Sequence, residues 1–123
     1  MTRNDALEFA RQWADTWNRL DVDGILEHFE EDVIFSSPKA MDAVGQPTVR
    51  GKAALRSYWA TALRPVTVMR FSVVRVTWDA ETSELAIIYD RQVNDRRDRA
   101  AEVLQFGPSD RVVRGEVFYG VIP

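Results

Sequence analysis

The stretch Trp17-Asn18-Arg19-Leu20-Asp21-Val22-Asp23-Gly24-Ile25-Leu26-Glu27-His28-Phe29-Glu30-Glu31-Asp32-Val33-Ile34-Phe35 sets the architecture of this chain. It closes one amphipathic helix, carries a second short helix with Ile25, Leu26 and Phe29 on its apolar side, and turns through acidic residues into a strand. Upstream, Leu7, Phe9, Ala10, Trp13, Ala14, Trp17 and Leu20 recur at helical spacing. That period predicts a first helix over residues 5–20, capped by Asn4 or Asp5. The second helix spans Asp21 to Phe29, with Asp21 or Asp23 as its cap, and the first strand covers Val33 to Ser37, stopped by Pro38. Residues 38–51, punctuated by Gly and Pro and without periodicity, read as a loop. A third helix covers Lys52 to Leu63.

Beyond Val66 the apolar period becomes two. Met69, Phe71 and Val73 alternate, and the phase then moves to Val74, Val76 and Trp78. A phase flip inside one long strand is the mark of a β-bulge, which bends a sheet. Strands over Leu85–Val93, Ala100–Phe106 and Arg111–Tyr119 follow, separated by the turns 79–83 and 107–110. Helices followed by a meander of strands predict an α+β fold with an antiparallel sheet. Several strands are apolar on both faces, as in Val73 beside Val74, Ile87 beside Ile88 and Val117 beside Phe118. An antiparallel sheet with one wet face alternates more cleanly, so a second copy of the chain is expected over the outer face, giving a homodimer.

With 123 residues the chain is read as one domain, 1–123. A net charge of -3 argues against nucleic acid as a partner. The run Asp90-Arg91-Gln92-Val93-Asn94-Asp95-Arg96-Arg97-Asp98-Arg99 alternates Arg with Asp and suits a solvated hairpin tip. The absence of Cys excludes disulfides and thiolate metal sites. The only His, His28, falls on the polar side of its helix, so neither a Ser–His–Asp triad nor a metal cluster is expected, and no cofactor is implied. No apolar run approaches the roughly 18–20 residues that span a bilayer, and no leader pattern is visible, which makes a cytoplasmic protein with no membrane partner the expectation.

Glu102 stands out among the acidic residues. In Ala100-Ala101-Glu102-Val103-Leu104-Gln105-Phe106 it shares a strand face with Leu104 and Phe106. Desolvation on an apolar face favours the neutral carboxyl, which can act as acid, base or donor to a developing enolate. The structural alternative is a Glu bonded to a Trp or Tyr. Trp13 and Trp17 lie one turn apart on the first helix and Trp59 sits on the third, enough indole to line a flat cavity or simply to fill a core. Ser36 and Ser37 end the first strand, as ligand donors or mere terminators, and Tyr89 and Arg91 share a face that reaches a pocket or a dimer contact. The ligand-facing set is Trp13, Trp17, Phe35, Ser37, Trp59, Tyr89 and Leu104, around a small apolar or aromatic ligand, with Glu102 as the catalytic candidate.

The opening stretch, Pro38, Gly51-Lys52-Ala53-Ala54-Leu55-Arg56-Ser57-Tyr58-Trp59 and the closing Val117-Phe118-Tyr119-Gly120 resemble the nuclear transport factor 2-like superfamily, which includes SnoaL-like cyclases and ketosteroid isomerases. The likeness runs from Leu7 to Gly120 and implies a cone-shaped fold, three N-terminal helices packed in the concave face of a curved, mostly antiparallel sheet. Against the isomerase pattern, the catalytic Asp before the Pro falls at Ser37, the oxyanion-hole Tyr at Trp13, a second pocket Tyr at Trp59, and the protonated Asp at Glu102. One carboxyl position survives and the base is gone, unless Asp42, in a loop longer than the isomerase's, folds inward. The chain is most similar to small stand-alone SnoaL-like proteins. Two functions follow from that likeness: proton-transfer chemistry of the isomerase, cyclase or dehydratase type in an apolar pocket, or a non-catalytic dimeric module that binds a ligand or a protein.

Overall fold

The computed structural model describes residues 1–123. Helix α1 spans Arg3–Asn18 and starts at a capping box: Asp5 N–H donates to the Thr2 hydroxyl, and Thr2 N–H donates to the Asp5 carboxylate. The cap is therefore Thr2, not Asn4 or Asp5, because Thr2 with an acid three residues on satisfies two otherwise orphaned amides. Its buried stripe is Ala6, Ala10, Trp13, Ala14 and Trp17, one face at helical spacing. Leu20 takes a positive φ of 57° and breaks the helix short of the expected end. Helix α2 covers only Val22–Leu26, and the Asp21 side chain caps it by accepting from Gly24 N–H at 2.9 Å.

Strand β1 runs Phe29–Ser36, beginning four residues earlier than expected. Its ladder is irregular between Phe29 and Ile34, and that kink breaks the alternation on which the sequence boundary rested. The segment read as a loop contains a seven-residue helix, α3 (Pro38–Val44), and a short strand, β2 (Thr48–Arg50). Ser37 caps α3, Pro38 occupies its first position, and Gly45 ends it in the left-handed region at φ 79°. Helix α4 follows as Lys52–Leu63. Four helical segments thus precede the meander, where three were expected.

The meander is β3 (Met69–Asp79), β4 (Glu84–Val93), β5 (Arg96–Phe106) and β6 (Val112–Gly120). All six strands form one sheet in the order β2-β1-β6-β5-β4-β3. Every pairing is antiparallel except β1 with β6. Val73 pairs with Tyr89 but Arg75 with Ile88, which leaves Val74 as the predicted bulge.

The inner face carries buried Leu85, Ile87 and Tyr89 on β4 and Ala100, Glu102, Leu104 and Phe106 on β5. Helix α1 lies against β3, and the Asn18 amide pairs with an edge backbone there: Phe71 N–H donates to its Oδ1 and its Nδ2 donates to Phe71 C=O. On the outer face Val74 and Phe118 stay 43% and 50% exposed, beside the charged Arg75 and Glu116. No helix is long and apolar enough to cross a membrane.

Candidate functional site

Between α1, α4 and the inner face of the sheet lies a cavity of about 310 Å³. Its walls are aromatic because the α1 stripe and α4 present indoles to the same space. Trp17 and Trp59 meet edge to face at 4.9 Å, and Phe35 packs on Trp59 at 5.2 Å. On the opposite wall Tyr89 contacts Trp13 at 4.9 Å and Phe71 at 4.8 Å. Edge-to-face is a favoured geometry for aromatic pairs, and three of these four contacts adopt it.

Glu102 lies on the cavity wall and is 4% exposed. The Tyr89 hydroxyl donates to its Oε1 at 3.2 Å. Burial raises the Glu102 carboxyl to about 8, against the opposing pull of the Tyr89 bond and the Arg91 charge, so the group is predominantly protonated at neutral pH. Burial also pushes the Tyr89 phenol well above its ordinary value, with the Glu102 charge adding to the shift. The cavity therefore presents a neutral carboxylic acid, with one proton to donate and one oxygen already engaged. The indole N–H of Trp13 is buried without a partner, a second unused donor in this wall.

Of the expected site residues, Trp13, Trp17, Phe35, Ser37, Trp59, Tyr89 and Glu102 come together around this space. Leu104 does not. It lies deeper along β5 in the solid core, where the Cβ that Gly115 lacks would fall 3.1 Å from Leu104 Cδ2 and 2.8 Å from Phe35 Cδ2. Sharing a strand face with Glu102 was the right inference for burial and the wrong one for the cavity. Asp42 stays exposed on α3 and does not replace the missing base. Ser37 is buried and its Oγ accepts from Lys39 N–H at 3.2 Å, whereas Ser36 bonds Thr48 at 3.0 Å away from the cavity. His28 is exposed, its ring edge-on to Phe9 at 5.3 Å.

The sequence reading missed Tyr58 and Tyr119, which line the cavity with Ser37 and whose phenols are raised chiefly by burial, Tyr119 to about 12. It also missed Lys39, which reaches the cavity only because residues 38–44 form a helix. The mouth is set by the β4–β5 turn. Asn94, at φ 56°, accepts through Oδ1 from Thr67 N–H at 2.8 Å and Val68 N–H at 3.1 Å, and donates through Nδ2 to Pro65 C=O at 3.0 Å. That side chain ties the segment after α4 across the opening.

The geometry has clear relatives. A SnoaL-like protein of unknown function from Burkholderia thailandensis superposes with a TM-score of 0.88 at 32% identity over 97% of each chain. An NTF2-like protein of unknown function from Burkholderia pseudomallei does so at 0.78 and 19% identity, over 98% of this chain and 92% of that one. SalBIII, an epoxide hydrolase/cyclase-like enzyme in pyran ring formation in the polyether salinomycin, matches at 0.74 and 21% identity, over 95% of this chain and 92% of that one. No curated protein matches the sequence. Residues 10–115 fit the family model of the SnoaL-like domain, a match that runs from the middle of α1 into β6, and on that span the chain belongs to the SnoaL-like domain family, with its NTF2-like cone fold.

Proposed function

We propose that this protein takes a small, largely apolar molecule into the aromatic cavity and donates a proton, or a strong hydrogen bond, from Glu102 to an oxygen of that molecule. The observation that carries this reading is the Glu102 carboxyl, buried on the wall of a cavity and bonded only to Tyr89. A neutral acid in a low-dielectric site is suited to an oxygen on which negative charge develops, as in enolisation, dehydration or ring closure. SalBIII, of the same fold, is described as an epoxide hydrolase/cyclase-like enzyme, and ring formation is within reach of a buried acid. Ser37 in place of a base before Pro38 argues against steroid isomerisation by a carboxylate base. Native mass spectrometry of the purified protein for a co-purifying molecule tests the pocket. Once that molecule is identified, Glu102→Gln is expected to abolish its turnover and spare its binding. Unchanged turnover would remove Glu102 from the mechanism.

A second reading, a non-catalytic dimeric binding module, is favoured by the outer face. Ile88 pairs with Ala101 and Ala101 with Phe118, so these three side chains form one apolar row across β4, β5 and β6, with the Asp90–Arg99 ion pair of 2.7 Å beside it. A second copy seated there would bury Phe118 and Val74. Light scattering gives the mass, and Phe118→Asp is expected to yield monomer. A wild-type monomer would sink the dimer.

A further inference from the structure

The polar end of the cavity is unbalanced in charge. Arg91 points inward from β4 and its side chain is 10% exposed, yet its Nε and Nη1 are buried with no hydrogen-bond partner. Its one ion pair, to Asp98 across the β4–β5 ladder, is 3.4 Å long and leaves Asp98 Oδ1 unbonded as well. The Tyr119 ring lies 4.8 Å from the Arg91 guanidinium carbon and 4.8 Å from Lys39 Nζ, so two cations share one aromatic face system at the cavity edge. Lys39 has no carboxylate within ion-pair distance. Its amine is held below the ordinary lysine value by partial burial and then by Arg91 and Arg96, evidence that each cation feels the others. Asp95, at the mouth, is the only other acid in the lining besides Glu102, and it pairs with neither cation.

Resting on the pocket reading above, we infer that the ligand is an amphiphilic acid: an aromatic or alicyclic body between Trp13, Trp17, Trp59 and Phe71, joined to one carboxylate that binds Arg91 and Lys39. Three cations, Lys39, Arg91 and Arg96, line this end, and Asp98 and Asp95 offset two of them, so the site is short of a single negative charge, which a carboxylate supplies and a doubly charged phosphate exceeds. A carboxylate also fits the planar guanidinium fork and would satisfy the orphaned Nη1, the kind of charge-assisted bond that a buried cation otherwise lacks. Arg91 and Ile87, the cross-strand partner of Glu102, stand four residues apart on β4, roughly 13 Å along the strand. A body anchored at Arg91 and Lys39 therefore shares one cavity with the Glu102 acid.

The test uses a matched pair of probes, 2-naphthylacetate and 2-naphthylacetamide, titrated calorimetrically into the full-length protein at pH 7. The acid is expected to bind at least tenfold more tightly than the amide. Lys39→Gln, at an exposed position that leaves the core untouched, is expected to cut that preference to about threefold or less, and Lys39→Arg to retain it. Equal affinity for acid and amide, or a preference unchanged by Lys39→Gln, overturns the anionic anchor while leaving the pocket standing. Binding of neither probe removes the pocket reading and this inference with it.

Discussion

The Tyr89 hydroxyl reaches Glu102 Oε1 diagonally: Tyr89 pairs across the ladder with Ala100, and Glu102 pairs with Ile87, yet the two side chains meet at 3.2 Å on the inner face. Diagonal neighbours on one face are within reach of a long aromatic side chain. That bond is the main influence holding the carboxyl down against burial. Tyr89→Phe is therefore expected to raise the Glu102 titration above about 8 and to cost about 1 kcal/mol of stability, the usual worth of a lost hydrogen bond. Carboxyl chemical shifts of ¹³C-labelled Glu follow the first effect and urea unfolding the second. A titration that stays put would show that Tyr89 does not govern the acid.

The same burial makes stability depend on pH. In the unfolded chain the Glu102 carboxyl titrates near 4.5, and in the fold at about 8, so the folded state holds the extra proton between those values. The stabilisation is complete below the unfolded value and is lost as pH rises through 8. At 1.36 kcal/mol per unit the span is on the order of 5 kcal/mol. Glu102→Gln, which carries no titrating proton, is expected to flatten this slope and to overtake the wild type by pH 9. Urea unfolding of both proteins at pH 5 and pH 9 measures it, and parallel curves would refute a neutral buried Glu102.

Asn94 ties the Pro65–Val68 segment to the β4–β5 turn through four side-chain bonds, beside its backbone N–H donating to Val68 C=O at 2.8 Å. Asn94→Ala is expected to speed amide hydrogen exchange at Thr67 and Val68 by at least tenfold while leaving β5 protected. It would also strain the left-handed backbone at this position, which Asn tolerates better than Ala, costing about 1–2 kcal/mol. Exchange confined to the turn itself, with Thr67 and Val68 unchanged, would mean the rim is held by other contacts.

Gly115 governs how closely β6 approaches Phe35. An added methyl would meet Phe35 Cδ2 at 2.8 Å and Cε2 at 3.0 Å. Phe35 packs on Trp59 and lines the cavity, so a displaced ring moves into the binding space. Gly115→Ala is expected to cost about 1–3 kcal/mol, as overpacking does. It should also weaken uptake of 2-naphthylacetate several-fold, whereas an unchanged affinity would show that Phe35 yields elsewhere.

The periodicities were enough to read the helix-first order, the meander and the Val74 bulge, because each follows from which residues must be buried. The helix α3 was not read from them, although Ser37, Pro38 and Gly45 are its cap, first turn and stop. At seven residues it shows no apolar stripe, and Pro38 reads equally well as a strand terminator. Missing α3 hid Lys39, and with it the polar end of the cavity. Glu102 was legible from the alternation of β5, since a charge among Leu104 and Phe106 is visible in the sequence. Leu104 was misplaced because alternation reports the face of a strand and says nothing of depth along it. The Tyr58–Ser37–Tyr119 grouping joins three distant segments, and only the sheet order brings them together.

The two amide bonds that Asn18 makes to Phe71 give β3 a substitute neighbour on its open side. A terminal strand with free N–H and C=O groups invites pairing by strangers, the first step towards aggregation. With Phe71 occupied by a helix and Val74 kinked out of line three residues later, no long straight run of vacant backbone is left for an intruding chain to zip against. The protein can thus keep a hollow interior at one end of its sheet without its margin becoming a nucleus for fibrils.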